Sequence, residues 1–227
     1  MSDRERVLGL LRELELADEE AGAALAELDE LAGEAEAVRL RALDLAAFEA
    51  RLPVEREAAG AELARARDEL EAARAALAEA ETALRTAAPA GEDEARRFEI
   101  RARDRLSVAE RRAAGAEDAC EALERRARES KRAEKELESR ATEVAEALHD
   151  RKQVADEAGA APAPGLAGVA EWGEAARAAL FVARGHVAAE RDALVRQANE
   201  LGGLALGEPL TTLGAAAIVR RVEAELG

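Results

Sequence analysis

The chain has 227 residues and a hydrophobic fraction of 48%, yet it holds only three Phe, one Trp and no Tyr. Aromatic side chains anchor most compact cores, so a single large globular core is disfavoured, and the apolar content, mainly Ala, Leu and Val, is expected along helices. A formal net charge of -16, with 49 acidic against 33 basic residues, argues against a surface that grips phosphate backbones or anionic lipid.

Residues Met1 to Glu20 carry charge throughout, which disfavours a signal peptide. No window approaches the roughly 20 apolar residues that span a bilayer, so no membrane insertion and a cytoplasmic location are expected. From Leu10 onward, apolar residues recur in alternating steps of four and three: Leu10, Leu14, Ala17, Ala21, Ala24, Leu28, Leu31, Ala35, Val38, Ala42 and Leu45. The same phase continues through Leu52, Ala59, Leu63, Ala66, Leu70, Ala73, Leu77, Ala80, Leu84 and Ala87, the a/d pattern of a left-handed coiled coil. Roughly eleven heptads at 1.5 Å per residue predict an arm on the order of 115 Å long.

Two polar residues, Glu49 and Arg56, interrupt that seam on either side of Pro53. Proline removes a backbone donor and crowds the preceding turn, but the phase is unchanged across it, which favours a kinked continuous helix over a loop. The uncharged stretch Ala88, Pro89, Ala90 and Gly91 predicts a reversal at about 88–92, and Glu92, Asp93 and Glu94 then suit the first turn of a second helix. That second run carries Ala102, Leu106, Ala109, Ala113, Ala116, Cys120, Leu123, Ala127, Leu137, Ala141, Val144, Leu148, Ala155 and Ala158 in its seam, with Glu99, Ser130, Glu134 and Arg151 as exceptions.

The charges flanking the seam choose the orientation. An antiparallel pair sets g against g and e against e, whereas a parallel pair sets g against e. The g row of the first run is mainly acidic (Glu13, Glu20, Glu27, Glu34, Glu55, Glu62, Glu69), and that of the second includes Arg105, Arg112, Arg126 and Arg140. The e rows are reversed, with Arg39, Arg67 and Arg74 against Glu110, Glu117, Glu124 and Glu138. Both edges predict an antiparallel hairpin in which Glu69 lies near Arg112 and Glu55 near Arg126, with Glu49 beside Ser130 and Arg41 meeting Arg140. Glu49, Pro53, Arg56, Ser130 and Glu134 are therefore the candidate hinge or partner-docking residues, polar seam positions being the ones that set register and specificity.

The segment 159–168, GAAPAPGLAG, reads as a linker. A helix is predicted from about Val169 to Leu201, with Trp172, Ala176, Leu180, Ala183, Val187, Leu194 and Leu201 on one face and Phe181, Ala188 and Val195 on another. Gly202, Gly203, Gly207 and Pro209 predict a break, and a last helix is expected from about Thr212. Val7, Leu8, Leu11 and Leu14 would then project beyond the hairpin toward these C-terminal helices. The expected fold is all-α, a long antiparallel coiled-coil hairpin over 1–158 with a small helical base over 169–227 near the N-terminus.

No glycine-rich phosphate loop is encoded, and His149 and His186 belong to no ligand motif. Cys120 is the only cysteine, which precludes an internal disulfide. No catalytic residue, cofactor or metal is expected. Over residues 10 to 158 the heptads resemble the coiled-coil arms of chromosome-maintenance ATPases and of bacterial helical-hairpin proteins. One bacterial group adds a C-terminal zinc ribbon, whose cysteines this chain lacks, and heptads alone assign no family. The expected role is a non-enzymatic spacer or docking arm for protein partners, with self-association open and without direct nucleic-acid contact. The alternative is an accessory subunit of a larger motor, secretion or chromosome-associated assembly.

Overall fold

A computed structural model describes residues 3–149, 151–210 and 213–226. Their regular structure is entirely helical: α1 (Asp3–Thr86), α2 (Glu92–His149), α3 (Lys152–Ala158), α4 (Leu166–Leu206) and α5 (Ala215–Leu226). The chain divides into two compact units, one of residues 1–43 and 136–227, the other of residues 44–135.

Helix α1 runs unbroken through Pro53. The ring costs the helix one hydrogen bond to the carbonyl four residues earlier, and it sits on the exposed side, where water can serve that carbonyl. Gly91 closes the reversal after α1 by donating its N–H to the carbonyl of Ala88 (2.8 Å), and its own carbonyl accepts the N–H of Ala95 (3.1 Å). Glu92, Asp93 and Glu94 occupy the first turn of α2, where carboxylates meet unsatisfied amides and the positive end of the helix dipole.

In the unit of residues 44–135, α1 and α2 pair antiparallel. Arg112 reaches both Glu62 and Glu69 (2.8 Å each), Arg67 reaches Glu117 (2.9 Å), and Arg56 reaches Glu124 (2.8 Å), so one helix's numbers rise as the other's fall. Between those edges Ala66, Ala113 and Ala116 are buried against Leu63 and Leu70. Alanine lets the backbones approach closely but buries little area per heptad.

The unit of residues 1–43 and 136–227 is thicker. Leu28, Leu31, Ala35, Val38 and Ala42 of α1 are buried, as are Leu137, Ala141, Val144, Ala145 and Leu148 of α2. Helix α4 packs antiparallel on another side of α1, fastened by Arg191 to Asp18 (2.7 Å), Arg184 to Asp29 (2.7 Å) and Arg177 to Glu36 (3.2 Å). Gly173 permits that approach, since a Cβ there would lie 2.9 Å from Arg39 Cβ and 3.1 Å from the Ala35 carbonyl oxygen. Trp172, Ala176, Ala179 and Leu180 are buried on the inner face of α4, but Phe181 is 75% exposed, so the second predicted face does not pack there. At the far end, Leu11, Ala198, Ala215, Ile218, Val219 and Val222 form a core with Val7, Leu8, Leu14, Leu201 and Leu210 packed around it.

Several element boundaries differ from the sequence reading. The second long run stops at His149 and resumes at Lys152, with Arg151, one of its polar seam positions, ahead of the new helix. Its backbone leaves the helical region (φ -107, ψ 75), and its guanidinium reaches Glu27 instead of being buried unpaired. The linker is shorter than 159–168, since α4 starts at Leu166 after Gly165, whose left-handed φ of 85 turns the chain and whose N–H donates to the Glu138 carboxylate (2.8 Å).

Helix α4 also runs past the expected break at Gly202 and Gly203. Gly202 makes room for the side chains of the returning segment and α5: an added Cβ would lie 2.6 Å from Ile218 Cγ2 and 2.8 Å from Leu210 Cδ1. Gly207, with φ 73, is the residue that ends the helix, donating its N–H to the Gly203 carbonyl. Thr212, the expected start of the last helix, lies outside the described residues, and α5 begins at Ala215. Asn199 holds the approach to α5: its amide donates to the carbonyls of Val195 (2.7 Å) and Leu213 (3.1 Å) and accepts the N–H of Leu213.

Candidate functional site

The five candidate residues, Glu49, Pro53, Arg56, Ser130 and Glu134, all belong to the unit of residues 44–135. Ser130 stands in the α2 seam between Ala127 and Leu137, and its side chain is only 5% exposed. Its hydroxyl makes no hydrogen bond, so a buried polar atom is unsatisfied in a mainly apolar stripe whose next member is Glu134. Such an atom costs about 1–3 kcal/mol. Alongside it, Leu45, Phe48, Arg51, Arg126, Glu129 and Ala133 complete the lining of an open groove of about 290 Å³.

The Arg126 guanidinium lies over the Phe48 ring, 5.3 Å from its centroid. Arg126, expected near Glu55, makes no ion pair with that carboxylate among the described residues. In the g row of α1, position 48 is Phe where the neighbouring heptads mostly carry Glu, and the cation takes the ring face of that residue. Arg56, the other polar seam residue of α1, places two nitrogens on the Glu124 carboxylate at 2.8 Å each. That fork holds Glu124 below the ordinary carboxylate range and raises Arg56 in turn. Glu49 and Glu134 are half-buried and form no ion pair among the described residues, and Pro53 is exposed. Of the five, Ser130 is thus brought into the groove with Phe48 and Arg126, while Arg56 is engaged by Glu124.

Elsewhere the charge rows behave as a code with local exceptions. Arg112 lies between two glutamates, which raises it and lowers Glu62. Arg140, expected to meet Arg41, engages Glu34 and Glu143. Arg39 was expected to face the α2 edge, but its nitrogens meet Glu36 at 2.7 and 2.9 Å, because α4 covers that side of α1. The hydrogen bonds from Arg39 hold the Glu36 carboxylate at about 2, with Arg177 adding to the effect.

Phe48, Arg126 and Glu124 join this site without having interrupted the apolar seam. The available signal was Phe48 itself, an aromatic among the glutamates of the g row and opposite an arginine row. His149 and His186 are exposed, the Cys120 thiol is free and half-buried, and the described residues hold no group of three or more His, Cys, Asp or Glu that could bind a metal ion. Among them, too, no helix is long and apolar enough to cross a membrane. The groove can offer cation, aromatic face and apolar floor to an incoming side chain. Comparison with family models, with curated proteins and with solved structures finds no match to this chain.

Proposed function

We propose that the chain is a non-enzymatic, cytoplasmic interaction protein whose helical hairpin serves as a spacer or docking arm for protein partners. The observation that supports this reading most directly is the use of apolar side chains in the hairpin. In residues 44–135 the buried Ala66, Ala113 and Ala116 lie with Leu63 and Leu70 in a narrow seam flanked by Arg–Glu pairs, Val54 and Val108 stay exposed, and the site beside Ser130 opens as a shallow groove. Recognition by such a surface proceeds through helix-face packing and charge selection.

A photo-crosslinking residue placed at Val54, which is exposed on α1, tests the reading in the native cell. It is expected to trap a discrete protein adduct, and combining Phe48→Ala with Arg126→Ala is expected to diminish that adduct. A set of crosslinkers spread over exposed positions of 44–135 that traps no protein would overturn the proposal, as would a catalytic turnover abolished by His186→Ala.

A further inference from the structure

The a/d row of α1 changes character along the unit of residues 1–43 and 136–227. Leu28, Leu31, Ala35, Val38 and Ala42 are buried, whereas Ala24, Ala21, Ala17 and Leu14 are half-exposed and Leu10 is 50% exposed. The g row changes with it. Glu34 engages Arg140 and Glu27 engages Arg151, but Glu20 and Glu13, the next members of that row, are exposed and form no ion pair among the described residues. The reason is chain geometry: α3 ends at Ala158, and Gly159 (φ 78) leads into the segment that returns to α4.

Over this stretch α4 supplies the second wall. Leu10 and Leu14 of α1 face Leu201 and Leu204 of α4 across a groove of about 430 Å³, rimmed by Glu13, Gln197 and Glu200. Leu204 is 82% exposed, the most open of the large apolar side chains described. A leucine floor with a carboxylate rim is the same half-interface that α1 presents to α2 farther along, lacking its arginine-bearing counterpart.

We propose that this groove seats an amphipathic helix of another protein, running antiparallel to α1, with large apolar residues at its a and d positions and arginine or lysine at g. The antiparallel direction follows because only then does the g row of the incoming helix meet Glu13 and Glu20. A second copy of this chain fits poorly, since two-fold pairing of the face would set Glu13 and Glu200 against one another's equivalents, on a chain of net charge -16. The inference deepens the docking reading by naming a surface and the partner's chemistry.

Two dye-labelled synthetic peptides of about three heptads, with leucine at a and d, test it by fluorescence anisotropy against the full chain. One carries arginine at g and the other glutamate. The arginine peptide is expected to bind at least about tenfold more tightly. Leu10→Asp with Leu204→Asp is expected to weaken it by a similar factor while circular dichroism and melting stay unchanged, both side chains being largely solvent-exposed. Glu13→Arg with Glu20→Arg is expected to transfer the preference to the glutamate peptide. Equal binding of both peptides, or binding indifferent to the leucine changes, would overturn the proposal. So would sedimentation showing a dimer of the chain alone that Leu204→Asp dissociates, because the occupant would then be a second copy. Loss of peptide binding with the Val54 adduct intact removes this groove alone; loss of the adduct with peptide binding intact removes the hairpin reading alone.

Discussion

Ser130 shows how one atom can decide the local stability of a coiled coil. Its buried hydroxyl has no partner, so Ser130→Ala removes the cost while keeping nearly the same volume. The variant is expected to be more stable than the parent by about 1 kcal/mol, read as a higher denaturant midpoint with an unchanged slope. Glu36 gives a prediction of opposite sign. Arg39 holds its folded-state pKa at about 2, below the ordinary carboxylate value of 4.5, so the ionised form contributes stability that is complete above the unfolded value and is lost as pH falls toward about 2. The melting temperature of the wild type is therefore expected to exceed that of Glu36→Gln near neutral pH, with the gap closing through the acid range; a gap constant with pH would contradict the assignment. The sequence marked Ser130 because it broke a periodic apolar row. It did not mark Phe48 and Arg126, because a g position is normally a charged edge, and the choice between a carboxylate and a ring face depends on side-chain geometry that spacing does not contain.

At the level of elements, the α1–α2 pairing was legible because two independent rows, g and e, agreed on direction, and Arg112 with Glu69 and Arg67 with Glu117 obey them. The place of α4 was not. Its apolar residues form two faces, one from Trp172 through Leu180 to Leu201 and the other Phe181, Ala188 and Val195, and periodicity does not say which one meets α1. Gly173 was the overlooked clue: a glycine inside a helix is unfavourable by propensity and is retained here by the approach of α1. Gly173→Leu, which would favour an isolated helix, is expected instead to destabilise this unit by about 1–3 kcal/mol through overpacking against Arg39 and Ala35. Hydrogen exchange measured along α4 and residues 1–43 of α1 would register that loss, with residues 44–135 as the internal control.

For the whole molecule, the core around Leu11 joins residues near both ends of the sequence, with Val7, Leu8 and Leu14 on one side and Ile218, Val219 and Val222 on the other. Arg12 adds two hydrogen bonds to Glu223, at 2.7 and 3.1 Å. Ending the chain after Gly165 removes α4 and α5, and the truncated protein is expected to bind a hydrophobic dye and aggregate near neutral pH, whereas the full chain remains dispersed. Dispersed truncated protein with unchanged dye binding would show that this apolar surface needs no cover. The same end-to-end core sets an order of events during synthesis. The partners of Leu11 on α5 emerge from the ribosome some two hundred residues after it, on the order of 10–40 seconds later at ordinary elongation rates. Throughout that interval the leucine cluster around Leu11 lacks its α5 partners, so the newborn polypeptide exposes apolar surface that the finished one covers.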